Sequence, residues 1–300
     1  LVVRDAAGKD RQQDDAMRVL AIQSQVIYGH VGNSAGAFAL QRQGVETWAV
    51  PTAVLAFNPS YGPPAMRATE PSEMDSWMMA LQTRPEWQQI DAILLGWLGN
   101  PRTAEAAARA ALAARAANPD AVFLCDPVMG DSDCGLYVDK ALPPFIREQL
   151  IPKADIVTPN GFELEYLLGD KVEDLPSALA ACDKLRAQGP KTVIATTLKR
   201  RDGGAGMVEA LLVNDEGAWI CGVPDLGQEL PKGAGDIFAS LFLARLVKGR
   251  TPKKALLFAM AGTYGLLRDA VANKAGEMRL VTAQNELHQP SHLPDIERVR

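Results

Sequence analysis

Residues 17–50 read MRVLAIQSQVIYGHVGNSAGAFALQRQGVETWAV, and this run decides the fold. The apolar stretch Arg18–Gln23 starts directly after Met17 and reads as a strand; Asn33–Gln43 carries helical spacing; Glu46–Val50 is a second apolar strand. A strand, a helix and a strand in that order form a βαβ unit, whose crossover makes the strands parallel.

The same alternation continues outward. Asn58 to Ser72 interrupts it with Pro59, Pro63, Pro64 and Pro71, which reads as a loop or excursion at a sheet edge. Helix Glu73–Gln82 then leads to strand Asp91–Leu95, and the alanine-rich helix Thr103–Ala117 to strand Ala121–Cys125. Strand Ile156–Thr158, helices Gly161–Leu168 and Ser177–Gln188, and strand Thr192–Thr197 follow. Met207–Val213 and Ala218–Gly222 read as a hairpin across Asn214-Asp215-Glu216-Gly217, before helices Asp236–Lys248 and Pro252–Arg268. The expectation is an α/β fold of one domain: a doubly wound, mostly parallel sheet flanked by helices, spanning residues 17–287. Residues 1–16 carry mixed charge and no period and read as a disordered extension; either Met17 is the true initiator or the extension is a genuine flexible tail. Residues 288–300 read as a polar C-terminal tail.

Composition narrows the function. The chain has 300 residues, 47% hydrophobic and 22% charged, which is enough to bury a substantial core. With 31 basic and 36 acidic residues the net charge is −5, and no basic run reads as a nucleic-acid stripe. Uninterrupted apolar stretches fall short of the ~20 residues of a membrane span and no signal peptide is evident, so a cytoplasmic protein is expected. Cys125, Cys134, Cys182 and Cys221 form no C-x-x-C pair and read as reduced thiols. His30, His288 and His292 are too dispersed for a metal cluster or charge relay.

Doubly wound sheets bind ligands beyond the carboxyl ends of their strands, so the motifs are sought there. Lys232-Gly233-Ala234-Gly235-Asp236 precedes an apolar helix. Small residues at a helix start leave backbone N–H groups open to an anion at the positive end of the helix dipole, and phosphate is the obvious candidate. Asp236 would repel phosphate unless it has a separate role, such as accepting a proton from an attacking hydroxyl; a plain helix cap explains it as well. The turn has neither the Lys-Ser/Thr of a Walker loop nor the G-x-G-x-x-G spacing.

Asp126-Pro127-Val128-Met129-Gly130-Asp131 and Asn160-Gly161-Phe162-Glu163 start at two other strand ends. Their carboxylates and amide oxygen stand where magnesium could be held, mostly through water, against nucleotide phosphates. Asn160 and Glu163 also match an N-cap and its N3 partner, and Asp126-Pro127 could begin a turn. The coincidence of these motifs with Gly-Ala-Gly-Asp favours phosphoryl transfer. Thr196 and Thr197 end the next strand, and Lys199-Arg200-Arg201-Asp202-Gly203-Gly204 beyond them reads either as a lid over the nucleotide or as an ordinary solvated loop.

Taken in order, LAIQSQVIYGHVGNSA (20–35), CDPVMGD (125–131), TPNGFE (158–163) and GAGD (233–236) resemble the ribokinase superfamily, and more narrowly the pyridoxal kinases, over residues 18 to 270. The resemblance implies ATP-dependent phosphorylation of the 5′-hydroxymethyl group of pyridoxal, a vitamin B6 salvage step, with pyridoxine and pyridoxamine as further substrates. It implies Asp236 as base, the amides of Gly233, Ala234 and Gly235 as stabilisers of the transferring phosphoryl group, and Ser24 and Trp97 beside the pyridine ring. It implies Asp126, Thr158, Asn160, Glu163, Thr196 and Thr197 at the nucleotide, and Asp126, Asp131 and Glu163 around Mg2+. A monovalent cation such as K+ and a homodimer are implied likewise.

One segment departs from the family. These kinases resemble Phe-Ser-Asn-His-Thr and a tyrosine after the second strand, whereas this chain has Leu55-Ala56-Phe57-Asn58-Pro59 and then Ser60-Tyr61-Gly62. Pro59 replaces a hydroxyl, Asn58 an imidazole, and Ser60 is the candidate substitute hydroxyl. This leaves open a kinase for another hydroxymethyl heterocycle, such as hydroxymethylpyrimidine, or a weakly active carrier of pyridoxal or its phosphate. Cys134 reads as a thiol facing the pyridoxal aldehyde or as a spectator.

Overall fold

A computed structural model of the chain describes residues 2–4, 10–12, 16–227 and 229–300. Within the N-terminal extension, β1 (Val2–Arg4) and β2 (Asp10–Gln12) pair antiparallel, apart from the main sheet. The other residues of the extension expected to be disordered, except Ala16, lie outside the described residues.

The βαβ opening is present as β3 (Met17–Val26), α1 (Asn33–Arg42) and β4 (Val45–Leu55), with β3 and β4 parallel. The chain continues through β5 (Met66–Ala68), α2 (Pro71–Gln82), β6 (Ala92–Leu95), α3 (Pro101–Ala117) and β7 (Val122–Cys125). A small hairpin, β8 (Gly130–Asp131) and β9 (Gly135–Leu136), and the short α4 (Leu142–Phe145) precede β10 (Ile156–Val157). Then come α5 (Gly161–Leu168), α6 (Leu175–Arg186), β11 (Thr192–Leu198), β12 (Met207–Asn214), β13 (Gly217–Pro224), α7 (Ala234–Val247), α8 (Pro252–Ala272) and β14 (Ile296–Arg298).

The ten-stranded sheet has the order β14-β13-β12-β11-β10-β7-β6-β3-β4-β5. Strands β4, β3, β6, β7, β10 and β11 run parallel, with β5 antiparallel on one edge and β12, β13 and β14 antiparallel on the other. Order reverses between β3 and β6, so a crevice opens at their carboxyl ends.

Alternation along each strand builds two cores. Leu20, Ile22, Ile93, Leu95 and Phe123 face one side and pack with residues of α2, α3, α5 and α6. Val19, Ala21, Ala92, Leu94 and Leu124 face the other and pack with α1, α7 and α8. Alanines fill the buried stripe of α3, among them Ala104, Ala107, Ala111 and Ala114. Helix α8 is long and apolar enough to cross a membrane, yet 61% of its most apolar window is buried, with Leu256, Ala259 and Leu266 in the second core.

Residues 58–72 form the expected excursion at the sheet edge: a 3-10 turn at Pro59–Tyr61 leads to the edge strand β5, and α2 starts at Pro71, two residues earlier than expected, where the fixed φ of proline suits a first helical turn. Residues 288–300 are not merely a tail. Ile296, Glu297 and Arg298 pair with Cys221, Ile220 and Trp219, and the Arg300 guanidinium bonds Asp183 at 2.6 and 2.9 Å. Without β14, β13 would present an open ladder of backbone donors and acceptors; a polar strand covers it.

Candidate active site

Parallel strands bring their carboxyl ends to one edge of the sheet, which places Ser24, Trp97, Asp126, Thr158 and Thr196 along a single crevice. Two of these sit at register breaks. The β3–β4 register shifts between Gln23 and Gln25, so Ser24 stands at the bulge, nearly buried. The β11–β12 register shifts between Ala195 and Leu198, and Thr197 there adopts φ 55, a strained region for a threonine. Bulges re-aim side chains at the ends of pairing, and here they turn both hydroxyl-bearing segments out of the ladder.

The loop from Ile27 to Gly32 folds back over β3. Gly32 has φ 55, and a Cβ there would lie 2.2 Å from the Ser24 carbonyl oxygen and 2.4 Å from its Oγ, so only glycine permits this approach. Trp97, beyond β6, packs half-buried with Val31 against Val26, Ala53 and Leu55 at the ends of β3 and β4.

Gly233, with φ 96, is the N-cap of α7, and no side chain caps this terminus. The leading amides of α7 therefore have no side-chain cap, which leaves them available to an anion. Asp236 lies in the first turn, with the Gly32 amide near enough to its carboxylate to favour the charged form. Burial raises the Asp236 pKa to about 6, against the lowering effect of that amide. It is therefore ionised at neutral pH yet more basic than an exposed aspartate, which suits a general base.

Asp126 is buried at the end of β7, and Thr158 Oγ1 donates to its Oδ1 at 2.9 Å. Burial first, and the Asp236 charge second, push its pKa up. Asn160 and Glu163 form the capping box of α5: Asn160 Oδ1 accepts the Glu163 N–H and Glu163 Oε2 the Asn160 N–H, each at 2.9 Å. Both side chains also fasten the preceding motif. Glu163 Oε1 accepts the Met129 N–H, and Asn160 Nδ2 donates to the Gly130 carbonyl, again at 2.9 Å. These two residues lock the loops that carry Asp126 and Thr158 to one another. Burial and Asp126 raise the Glu163 pKa.

Asp131 lies in the β8–β9 hairpin, with the Lys232 ammonium 3.8 Å from its Oδ2. No group of three or more His, Cys, Asp or Glu is spaced to hold a metal directly among the described residues. The donors nonetheless fit a hard cation shared with water and phosphate, since Asp126, Glu163 and Asp236 crowd negative charge that a divalent ion would neutralise.

That crowding has a measurable sign. Because its folded pKa is raised, Asp126 contributes stability that is complete below its ordinary value of 3.8 and is lost as pH rises through the raised value. Asp126→Asn keeps the acceptor for Thr158 and removes the charge. Its Tm is expected to exceed that of the parent by a few degrees, about what 1 kcal/mol gives, at pH 8 and to match it near pH 4. Thermal melts at both values test this, and an Asn variant no more stable at pH 8 refutes it.

Other expected residues are placed differently. Ser60 is exposed in the 3-10 turn, and its Oγ donates to Asn58 Oδ1, so its proton is committed within the turn. The 199–204 segment is anchored rather than poised as a lid. Lys199 pairs with Asp225 at 2.7 Å, Arg200 with Glu209 at 2.7 and 3.1 Å, and Arg201 with Glu173 at 2.6 Å, while Asp202 accepts the Leu175 N–H. These cations are neutralised locally instead of facing phosphates. Cys134 is exposed at the tip of the β8–β9 hairpin.

Sequence reading missed two residues. Tyr137, beyond β9, keeps half of its surface exposed, and its hydroxyl pKa is pushed up first by desolvation and then by the charges of Glu163, Asp126, Asp236 and Asp131. Glu277, after α8, accepts from His30 N, Asn58 Nδ2 and the Tyr61 hydroxyl. Neither carries a local signal; only the Gly-rich hairpin beside Tyr137 hinted at a loop near the site.

Comparison with known proteins follows the same lines. A family model described as phosphomethylpyrimidine kinase matches residues 31–280. A Rubrobacter xylanophilus pyridoxal kinase is 42% identical, covering 96% of this chain and 99% of its own length. One from Deinococcus radiodurans is 41% identical, over 94% of this chain and 96% of its own. Among solved structures, the pyridoxal kinase of Leishmania donovani in complex with ADP and pyridoxamine superposes with a TM-score of 0.86 at 29% identity, covering 94% of this chain and 99% of that one.

Proposed function

The chain belongs to the pyridoxal kinase family, and from that premise we propose that it transfers the γ-phosphoryl group of ATP to the 5′-hydroxymethyl group of pyridoxal. The observation that carries this reading is Asp236, recessed at the uncapped start of α7, with a pKa raised to about 6. A carboxylate there accepts the hydroxyl proton while the amides of the Gly233–Gly235 turn receive the charge of the transferring group. Ser24 and Trp97 orient the ring from the ends of β3 and β6. Asp126, Thr158, Thr196 and Thr197 face the nucleotide from neighbouring strand ends, with Asn160 and Glu163 holding those loops in place. Bound magnesium would neutralise phosphate charge, held by Asp126 and, through water, by Asp131 and Glu163.

ADP release is the test, with ATP, magnesium and each of pyridoxal, pyridoxine and pyridoxamine in turn, and with magnesium or potassium omitted. Turnover on pyridoxal is expected. A second reading, phosphorylation of hydroxymethylpyrimidine, draws on the family model's description and on the altered Asn58-Pro59-Ser60 segment. Turnover on hydroxymethylpyrimidine and none on any vitamer would replace the first reading; pyridoxal binding with no turnover would make the protein a carrier.

We place the protein in the cytoplasm as a homodimer. Its four cysteines are free, as in a reducing compartment. Ile27, Tyr28, Val54 and Met66 expose apolar surface near the β5 edge, which suits a second copy.

A further inference from the structure

We propose that Glu277 is a positioning residue, a clamp that ties the loop after β3 to the turn after β4 across the mouth of the ring site and thereby holds the catalytic turn beneath. This deepens the reading of the chain as a pyridoxal kinase and rests on it.

Glu277 comes from the segment after α8, far in sequence from everything it grips. Its Oε2 accepts the His30 N–H at 2.8 Å; its Oε1 accepts Asn58 Nδ2 at 3.1 Å and the Tyr61 hydroxyl at 2.7 Å. Gly29 admits this approach: it has φ 93, and a Cβ there would lie 2.7 Å from Oε1. The Glu277 side chain is only 13% exposed, so its charge is met by these donors rather than by water. The His30 imidazole lies 3.8 Å from Oε2, but burial lowers its pKa, so the carboxylate faces neutral donors. Hydrogen bonds to a buried charge are the strong kind.

What the clamp holds is informative on both sides. Asn58 and Tyr61 belong to the turn that departs from the family pattern. Asn58, itself buried, also accepts the Ser60 N–H at 2.9 Å, so the unusual Asn58-Pro59-Ser60 sequence is built around its bond to Glu277. On the other side the His30 carbonyl abuts Gly233, where a Cβ would come within 2.1 Å, and Met278, the next residue after Glu277, lies 3.0 Å from the same point. Two residues beyond His30, the Gly32 amide lies near the Asp236 carboxylate and favours its charged form. One carboxylate thus braces the ring-side turn and, through His30, the Gly233–Asp236 turn. The nucleotide residues on β10 and β11 share none of these bonds.

The test uses the full chain and steady-state kinetics with pyridoxal and ATP varied separately, alongside thermal melts and titration of nucleotide-competent sites. Glu277→Ala is expected to raise the KM for pyridoxal about tenfold and to lower kcat about threefold, with the KM for ATP unchanged. Tyr61→Phe removes one exposed donor, which the Gly276 carbonyl also accepts at 3.1 Å, and is expected to raise the pyridoxal KM about threefold without changing Tm, and to add less than that in the Glu277→Ala background. A merely structural Glu277 would lower Tm and the competent fraction while leaving the pyridoxal KM unmoved, and that result overturns the clamp. Should Glu277→Ala fail to fold, Glu277→Gln and Tyr61→Phe carry the same comparison, Gln keeping one acceptor of two. If the parent turns over no vitamer, the kinase reading fails by itself; the clamp is then judged by calorimetric pyridoxal binding, and an unaltered Kd in these variants overturns it.

Discussion

Asp236→Asn is expected to reduce kcat for pyridoxal phosphorylation by about 10²–10⁴-fold, the range for loss of a general base, while pyridoxal binding changes little. Asparagine matches the shape, keeps an acceptor oxygen near the Gly32 amide and remains compatible with the first turn of α7, so the change removes basicity and little else. The pH dependence supplies a second check. With a pKa raised to about 6, the carboxylate is the active form and is lost as pH falls, so kcat of the parent declines through about pH 6. The residual rate of the Asn variant lacks that limb. Steady-state rates from pH 5 to 8 on both proteins decide the matter; an Asn variant with near-parental turnover would remove Asp236 from its role.

Gly233→Ala carries the second large effect, and Gly235→Ala shows why the two glycines differ. Gly233 has φ 96 and touches the His30 carbonyl, so a methyl group at 2.1 Å from that oxygen must displace the loop or the turn. Loss of activity by about 10²–10³-fold, as for a lost oxyanion donor, together with a lower Tm is expected. Gly235 is helical and exposed, and its nearest neighbour for an added Cβ is Asp126 Oδ2 at 3.9 Å, an ordinary contact. Alanine there relieves a helix penalty of about 1 kcal/mol, so Tm is expected to hold or rise. Turnover is nevertheless expected to fall, because in the proposed reading the methyl group stands where the phosphoryl group approaches the amides. Melts and rates on both variants test the contrast; equal turnover in Gly235→Ala and the parent would move the phosphoryl site elsewhere.

Much of the candidate site lies in local motifs. The strand–helix alternation depends on near neighbours, the motifs at 126–131 and 158–163 follow their strands directly, and 233–236 opens α7. The Asn160–Glu163 pair illustrates the limit: its spacing fits both a capping box and a ligand set, and only the contacts to Met129 and Gly130 reveal it locking one loop to another. The ion pairs of the basic run at 199–201 were not legible, because Asp225, Glu209 and Glu173 come from three other segments.

By itself the sequence determined the doubly wound architecture, and it singled out the sheet edge and the carboxylate on which the proposed chemistry rests, because periodicity and helix starts are properties of a dozen consecutive residues. Tertiary structure alone decided that Glu277 grips His30 and Asn58, which lie 247 and 219 positions away, that Ser24 and Thr197 stand at bulges, and that residues 296–298 complete the sheet. Such pairings depend on where every crossover delivers the chain, and a buried carboxylate finds its donors only once the whole sheet has brought them together.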